Sequence, residues 1–213
     1  MIRTLVCIVA IIALLHLNGC GVFGVVAHAV PQYTQPRYTN LAGHSVGVMV
    51  WADTAVKIDW PGLSLDTANS LNAKLTELAK KESLLKGSTF PVKPASIVRY
   101  QMDHPEIEMS DISTVAPRLG VDRLIYIEVE EFATRATDSV ELFRGSMVAT
   151  LRVVEVTGGV AKVAYEENGI RCVFPHKVPD EGLPRGNDYQ FYVGTVNEFT
   201  NELLKRFVPV EIP

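Results

Sequence analysis

An Asp-His pair is the first feature of the sequence whose side chains could do chemistry. Asp103 and His104 are adjacent, and a carboxylate beside an imidazole can serve acid–base catalysis in a hydrolase or hold a ligand. The pair precedes Pro105, and Asp side chains cap turns whose geometry proline fixes, so a turn is the simpler interpretation. His44 and His176 share no ligand spacing with the pair. We therefore predict no metal site.

A run of glutamates is the second such feature. Glu128, Glu130 and Glu131 could supply the two carboxylates of a glycoside hydrolase. Carboxylates on a strand that face Arg144 or Arg152 are more simply explained as a charge-paired, solvated face of a sheet. This stretch therefore predicts no catalytic residue.

A cysteine and a glycine motif complete the set of candidate chemical groups. Cys172 lies in the strand-like run 170–174 and is interpreted as a small buried hydrophobe, because the sequence identifies no base to activate it. Gly19, Gly21 and Gly24 match the dinucleotide fingerprint, but no acidic residue stands about twenty positions beyond them to bind a ribose. We expect no cofactor and no enzyme.

Composition excludes another class of function. The chain is 47% hydrophobic and 21% charged, which is typical of a globular protein. The chain has 20 Lys and Arg residues and 24 Asp and Glu residues, and it contains no run of basic residues. The electrostatic attraction that drives nucleic-acid binding is therefore missing.

The first twenty residues carry the most specific pattern. Arg3 precedes an unbroken apolar run at 5–15, which has the length of a signal-peptide core and is short for a membrane span. The residues that follow are Leu17, Asn18, Gly19 and Cys20. They resemble the lipobox of bacterial lipoproteins, in which a Leu and two small or tolerated residues precede an invariant Cys.

This resemblance implies a lipid anchor. A peptidase would cut before Cys20, and the Cys20 thiol would carry a diacylglycerol, so that two or three acyl chains of the palmitate type hold the protein on a membrane. Gly21 stands where the family's inner-membrane retention signal places Asp, which favours the outer membrane, facing the periplasm. The alternative is one uncleaved transmembrane helix over 5–30, although Asn18, Gly19 and Gly24 are poor helix formers.

Composition and the lipobox together predict the domain organisation. Residues 1–19 are a signal peptide, 20–43 a tether rich in Pro, Gln and Thr, and 44–213 a single domain. Tyr33 and Tyr38 in the tether are either partner contacts or plain surface residues.

Hydrophobic periodicity gives the elements of that domain. We predict strands at 45–52, 96–100, 123–132 and 141–156, and a two-residue turn at Gly158 and Gly159 that leads to strand residues at 162–165. One long helix follows Ser64, a short one ends at Gly120, and a last long one is capped by Asp188. The fold class is therefore α/β, a mixed sheet with antiparallel hairpins packed by two long helices and one short helix.

A second, shorter resemblance concerns Val115–Val129, which has the sequence VAPRLGVDRLIYIEV. It is similar to a helix, glycine, Asp and strand passage in periplasmic lipoprotein domains of the curli-secretion channel type and in the amino-terminal domain of the Tol-Pal propeller protein. The resemblance implies a mixed sheet flanked by helices and no catalysis. It also implies a function carried out in the cell envelope through self-association or a protein partner.

The loop 175–187 is the predicted partner contact. It is long and dense in Pro, Gly and charge, and the side chains that could meet a partner are Lys177, Asp180, Glu181 and Arg185. A tolerated surface insertion is the alternative. The sequence thus predicts a membrane-anchored, non-catalytic envelope lipoprotein, and the alternative function is a surface-tethered hydrolase or small-ligand carrier that uses Asp103 and His104.

Overall fold

The chain runs from one strand through a group of helices to three consecutive strands and a last long helix. A computed structural model describes residues 33–137, 139–177 and 181–211. Within these residues the strands are β1 (Val46–Ala52), β2 (Arg123–Arg135), β3 (Phe143–Thr157) and β4 (Val160–Phe174). The α-helices are α1 (Thr54–Asp59), α2 (Leu63–Leu78), α3 (Pro94–Asp103), α4 (Ile112–Val115) and α5 (Asp188–Leu204). Short 3-10 turns lie at Ser83–Leu85, Pro105–Met109 and Ala116–Leu119.

The strands form one mixed sheet in the order β1-β2-β3-β4. β1 and β2 are parallel, and helices α1 to α4 make the crossover between them, whereas the other neighbouring pairs are antiparallel. Gly158 and Gly159 form the predicted two-residue turn with φ of 59° and 81°, values that this turn requires and that glycine adopts without strain. The predicted fold class is confirmed.

Helices α2 and α5 cover one face of the sheet. Their predicted apolar stripes place Leu71, Leu75, Phe199 and Leu203 in the core, each with no exposed surface, against β-strand residues such as Ile127. Each such side chain contributes about 1.5–3 kcal/mol by its burial. This layer is the main core of the protein.

The opposite face is covered at one end by α3, α4 and the adjoining 3-10 turns. There Met49, Leu124 and Val154 of the strands pack in a second apolar cluster with Ile97 and Val115 of the helices. Beyond this cluster the strands present half-buried or exposed polar side chains, which include Glu128, Glu130, Arg152, Glu166 and Asn168. The sheet therefore has a partly open polar face.

The predicted strand at 96–100 is wrong, because these residues lie in helix α3. Pro94 occupies the first turn, where its missing N–H costs no hydrogen bond. Ile97 and Gln101 are buried on one side of the helix, as a spacing of four residues requires. The Gln101 Nε2 donates to the Val50 carbonyl oxygen at 3.2 Å, so a side chain of α3 binds to the backbone of β1.

Residues before the predicted domain boundary at 44 belong to the folded unit, which spans 35–208. Tyr38 and Leu41 are only 7% and 1% exposed. The backbone N–H groups of Arg37 and Tyr38 both donate to the Arg206 carbonyl oxygen at 2.9 Å, and the Tyr38 hydroxyl donates to Glu155 at 3.0 Å. Residues 35–43 are thus not part of a tether, because two apolar side chains anchor this polar stretch.

The start of α5 also differs from the prediction, since Asn187 and not Asp188 caps the helix. The Asn187 Oδ1 accepts from the Gln190 N–H at 2.8 Å, an interaction worth about 1 kcal/mol. Asp188 instead accepts from Arg135 Nη2 and Thr134 Oγ1, each at 2.6 Å. These hydrogen bonds, that from Arg135 first, hold the pKa of Asp188 below its usual range and tie α5 to the end of β2.

A second, small unit contains residues 33–34 and 209–211 among those described. The Thr34 N–H donates to the Val210 carbonyl oxygen at 2.9 Å, and Tyr33 pairs with Glu211 as an isolated antiparallel bridge.

Candidate binding site

A groove of about 420 Å³ opens on the partly open face of the sheet. Its lining includes residues from all the described strands, namely Trp51 of β1, Tyr126 and Glu128 of β2, Arg152 of β3 and Glu166 of β4. The segment 107–112 also lines it and adds the carboxylates of Glu108 and Asp111. We call this cavity the sheet groove. Its volume lies within the range of small-molecule and side-chain binding sites.

The register of the strands brings the charged side chains of the sheet groove together. Arg152 lies opposite Tyr126 on one neighbouring strand and opposite Glu166 on the other. Its guanidinium donates to Glu128 Oε2 and to Glu166 Oε1, both at 3.0 Å. The predicted charge-paired face opposite Arg152 is therefore confirmed. One guanidinium orders two carboxylates along the floor of the groove.

The polar groups of the sheet groove are mostly hydrogen-bond acceptors. The hydrogen bonds from Ser113 hold the pKa of Asp111 below its usual range, so this carboxylate is ionised at neutral pH. Burial, with a further contribution from the charge of Glu128, raises the pKa of Tyr126 to about 12, so the phenol keeps its proton. The Ser110 hydroxyl donates to the carbonyl oxygen of residue 106. The arrangement suits binding of a hydrogen-bond donor.

A second groove, of about 290 Å³, lies beside the first and contacts α1, α2 and α3. Its apolar lining includes Val50, Pro61, Val98 and Met102. Met102 is 77% exposed and adds apolar surface to this groove. We call this cavity the helix groove.

Trp51 and Glu108 line both grooves, and a lysine side chain joins them. The Lys57 Nζ lies 3.0 Å from the centroid of a Trp51 ring and 3.1 Å from Glu108 Oε1. The ammonium is thus held by a cation–π contact and an ion pair at the same time. The boundary between the two grooves is a site that already accepts a cation.

The structure does not place Asp103 and His104 in either groove. Asp103 ends α3, and the His104 Nδ1 lies 3.1 Å from Glu106 Oε1 on the surface. The His104 ring packs against Tyr100 with 4.5 Å between centroids. Among residues 33–137, 139–177 and 181–211, no three His, Cys, Asp or Glu side chains are grouped so that they could hold a metal ion.

The loop 175–187 lies apart from both grooves in its described residues. Lys177, Glu181 and Arg185 are exposed and line neither groove, and Asp180 lies outside the described residues. Leu183 exchanges backbone hydrogen bonds of 2.9 and 2.8 Å with Phe143, which anchors the later part of the loop. Its role as a partner contact remains a prediction.

Of the remaining candidate residues, Cys172 lies in the core, and the lipobox residues lie outside the described part of the chain. Cys172 is buried, as predicted, and burial raises the pKa of its thiol to about 12. The lipobox residues Leu17, Asn18, Gly19 and Cys20 lie outside the described residues. In the part of the chain that is described, no helix is both long enough and apolar enough to cross a bilayer.

Sequence reasoning did not find the grooves. The sequence predicts Trp51 only as part of a buried strand, and it indicates no site role for Lys57, Glu108 or Asp111. Asp111 two residues before Ser113 is a helix-capping signal that could have drawn attention to that segment. No local signal places these residues beside Trp51, because the packing of α1 and of the segment 107–112 next to the sheet brings them together.

Three solved structures are similar to this chain at low identity. A hypothetical protein, CT253, from Chlamydia trachomatis has a TM-score of 0.46 and 16% identity, covering 77% of this chain and 95% of its own. The lipoprotein GNA1162 from Neisseria meningitidis has a TM-score of 0.42 and 15% identity, covering 75% and 97%. A PelC dodecamer from Paraburkholderia phytofirmans has a TM-score of 0.42 and 11% identity, covering 81% and 96%.

These similarities are too weak to carry an argument about function, site or assembly. No protein-family model matches the chain, and no curated protein matches it either.

Proposed function

We propose that the protein is a lipid-anchored lipoprotein of the bacterial cell envelope whose α/β domain binds a partner, or a second copy of itself, and catalyses no reaction. The observation that carries the binding role is the sheet groove on the partly open sheet face. Two of its carboxylates are ordered by Arg152, and Trp51 joins it to an apolar groove. The lipobox at Leu17–Cys20 supports the anchor, and Gly21 after the cysteine favours the outer membrane.

The anchor is tested with two cysteine variants. The full chain is expressed in a bacterium fed a palmitate analogue that can be labelled, as wild type, Cys20→Ala and Cys172→Ala. We expect Cys20→Ala to lose the label and to accumulate as an unprocessed precursor, whereas Cys172→Ala keeps both label and processing. A Cys20→Ala protein that is still processed and still membrane-bound contradicts the proposed anchor.

The binding role is tested by native mass measurement of the lipidated protein extracted in mild detergent. We expect a complex larger than the monomer. Glu166→Lys reverses one charge of the sheet groove and should dissociate the complex. The substitution removes one of the two carboxylates that bond to Arg152, and it adds an ammonium group that repels the Arg152 guanidinium. Glu141→Lys is the matched control, because this glutamate is exposed and lines neither groove, and it should leave the complex intact. A monomer in every extract contradicts the proposed function.

A further inference from the structure

The two grooves differ in chemistry but adjoin, and together they specify one kind of occupant. The sheet groove is polar, and the helix groove is largely apolar. We infer that together they bind an extended basic segment of a partner protein, with an arginine or lysine side chain in the sheet groove and an apolar side chain in the helix groove. This inference rests on the proposed binding function.

Charge is the first argument for a basic occupant. Glu108, Asp111, Glu128 and Glu166 bring four carboxylates to the sheet groove, against the single guanidinium of Arg152. The Arg152 donors already bond to two of these carboxylates. Each carboxylate can accept about four hydrogen bonds, so the groove keeps acceptor capacity for an incoming cation. An anionic segment would be repelled.

The contact between Lys57 and Trp51 is the second argument. The protein places one of its own ammonium groups on the Trp51 ring and beside Glu108, at 3.0 and 3.1 Å. This pair of contacts shows that Trp51 and Glu108 form a cation site whose geometry is already built. Even with Lys57 counted, carboxylates outnumber cations at the grooves by four to two. A partner's basic side chain therefore competes with Lys57 for the same ring and carboxylate.

The helix groove explains why a protein segment fits better than a small amine. Val98, Pro61 and the exposed Met102 provide an apolar surface that a simple cation cannot use. In an extended chain, residues two apart point to the same side and lie about 6.6 Å apart, so they can fill two adjoining cavities. A basic residue followed at that distance by an apolar one uses both grooves.

The test uses the full lipidated protein in detergent and a fluorescent peptide of repeated Arg-Ser-Leu-Ser, which presents arginine and leucine on the same side of an extended chain. Binding is followed by fluorescence anisotropy, with a matched peptide in which citrulline, the neutral isostere, replaces each arginine. We expect the arginine peptide to bind at least tenfold more tightly than the citrulline peptide and to weaken as salt rises. Equal binding of the two peptides overturns the inference.

Three variants locate the binding on the protein. Asp111→Asn keeps the helix cap, because Asn caps helices as well as Asp, and should weaken binding at least threefold. Lys57→Met keeps the alkyl chain but removes the competing ammonium, so it should tighten binding several-fold. Glu141→Gln, at an exposed glutamate that lines neither groove, is the control and should change nothing. Groove variants without effect on peptide affinity overturn the inference, and an unchanged thermal unfolding curve shows that each variant is folded.

The two proposals fail in different ways. A native complex that survives groove variants, together with no preference for the arginine peptide, overturns the basic-segment inference and leaves the binding function standing. A protein that is monomeric in every extract overturns the proposed function, whatever the peptide does.

Discussion

Replacing Tyr38 with alanine should destabilise the protein strongly, although this residue lies in a stretch that resembles a linker. The ring is 7% exposed and meets Phe207 edge-on with 6.4 Å between centroids. Truncating a buried aromatic side chain costs about 3 kcal/mol or more, and a hydrogen bond to a carboxylate such as Glu155 adds roughly 1.5 kcal/mol. We therefore expect a loss of about 4.5 kcal/mol, which lowers the Tm by roughly 9–18 °C in a domain of this size.

The assay is thermal unfolding of the full chain, followed by circular dichroism in mild detergent. Tyr33→Ala is the matched control, because Tyr33 is 52% exposed and its truncation should change stability by no more than about 0.5 kcal/mol. Tyr38→Phe separates the hydrogen bond from the ring and should cost only about 1.5 kcal/mol. If Tyr38→Ala melts within two degrees of the control, the docking of residues 35–43 is refuted.

Three further outcomes follow from packing, charge and burial. Gly145→Ala should lower the free energy of unfolding by roughly 1–3 kcal/mol in the same melting assay, because the added Cβ would lie 1.8 Å from the buried Thr195 Oγ1. Unchanged stability would contradict the packing of α5 on β3. Asn40 and then Tyr38 donate hydrogen bonds that keep the pKa of Glu155 below the ordinary 4.5, so this stabilisation is present at neutral pH and is lost as the pH falls below that value. Glu155→Gln should therefore lower the Tm at pH 7 and flatten its decline in acid, and a parallel decline would disprove the role of this carboxylate. Cys172 should react with a thiol reagent only after unfolding, since its thiol is buried, and fast labelling of the native protein would show otherwise.

Much of the fold could be predicted because its local signals agree with its tertiary structure. The alternation along 123–132 follows from a strand with one face in the core, and the apolar stripe of α5 follows from packing on that face. Gly120 ends the 3-10 turn at Ala116–Leu119 in the left-handed conformation, which its position after Leu119 indicated.

The incorrect predictions share one physical cause. Contacts between residues far apart in the sequence outweigh the structure that the local composition favours. Ile97 and Val98 favour a strand by propensity, yet Pro94 and the contact from Gln101 to β1 favour a helix. Residues 35–43 have the composition of a linker, but burial of Tyr38 and Leu41 outweighs it. The sheet groove depends on the register of every strand, and register cannot be read from any one segment.

The docking of residues 35–43 limits how far the domain can travel from the membrane. With the lipid on Cys20, as proposed, at most the fifteen residues 20–34 separate the lipid from the folded unit, and fifteen residues span at most about 50 Å. A tether that continued to residue 43 would reach about 80 Å. A folded unit of this size has a radius of gyration of about 16 Å and so a diameter of about 40 Å. The domain would then stay within roughly one diameter of its own bilayer, and a partner has to be met there.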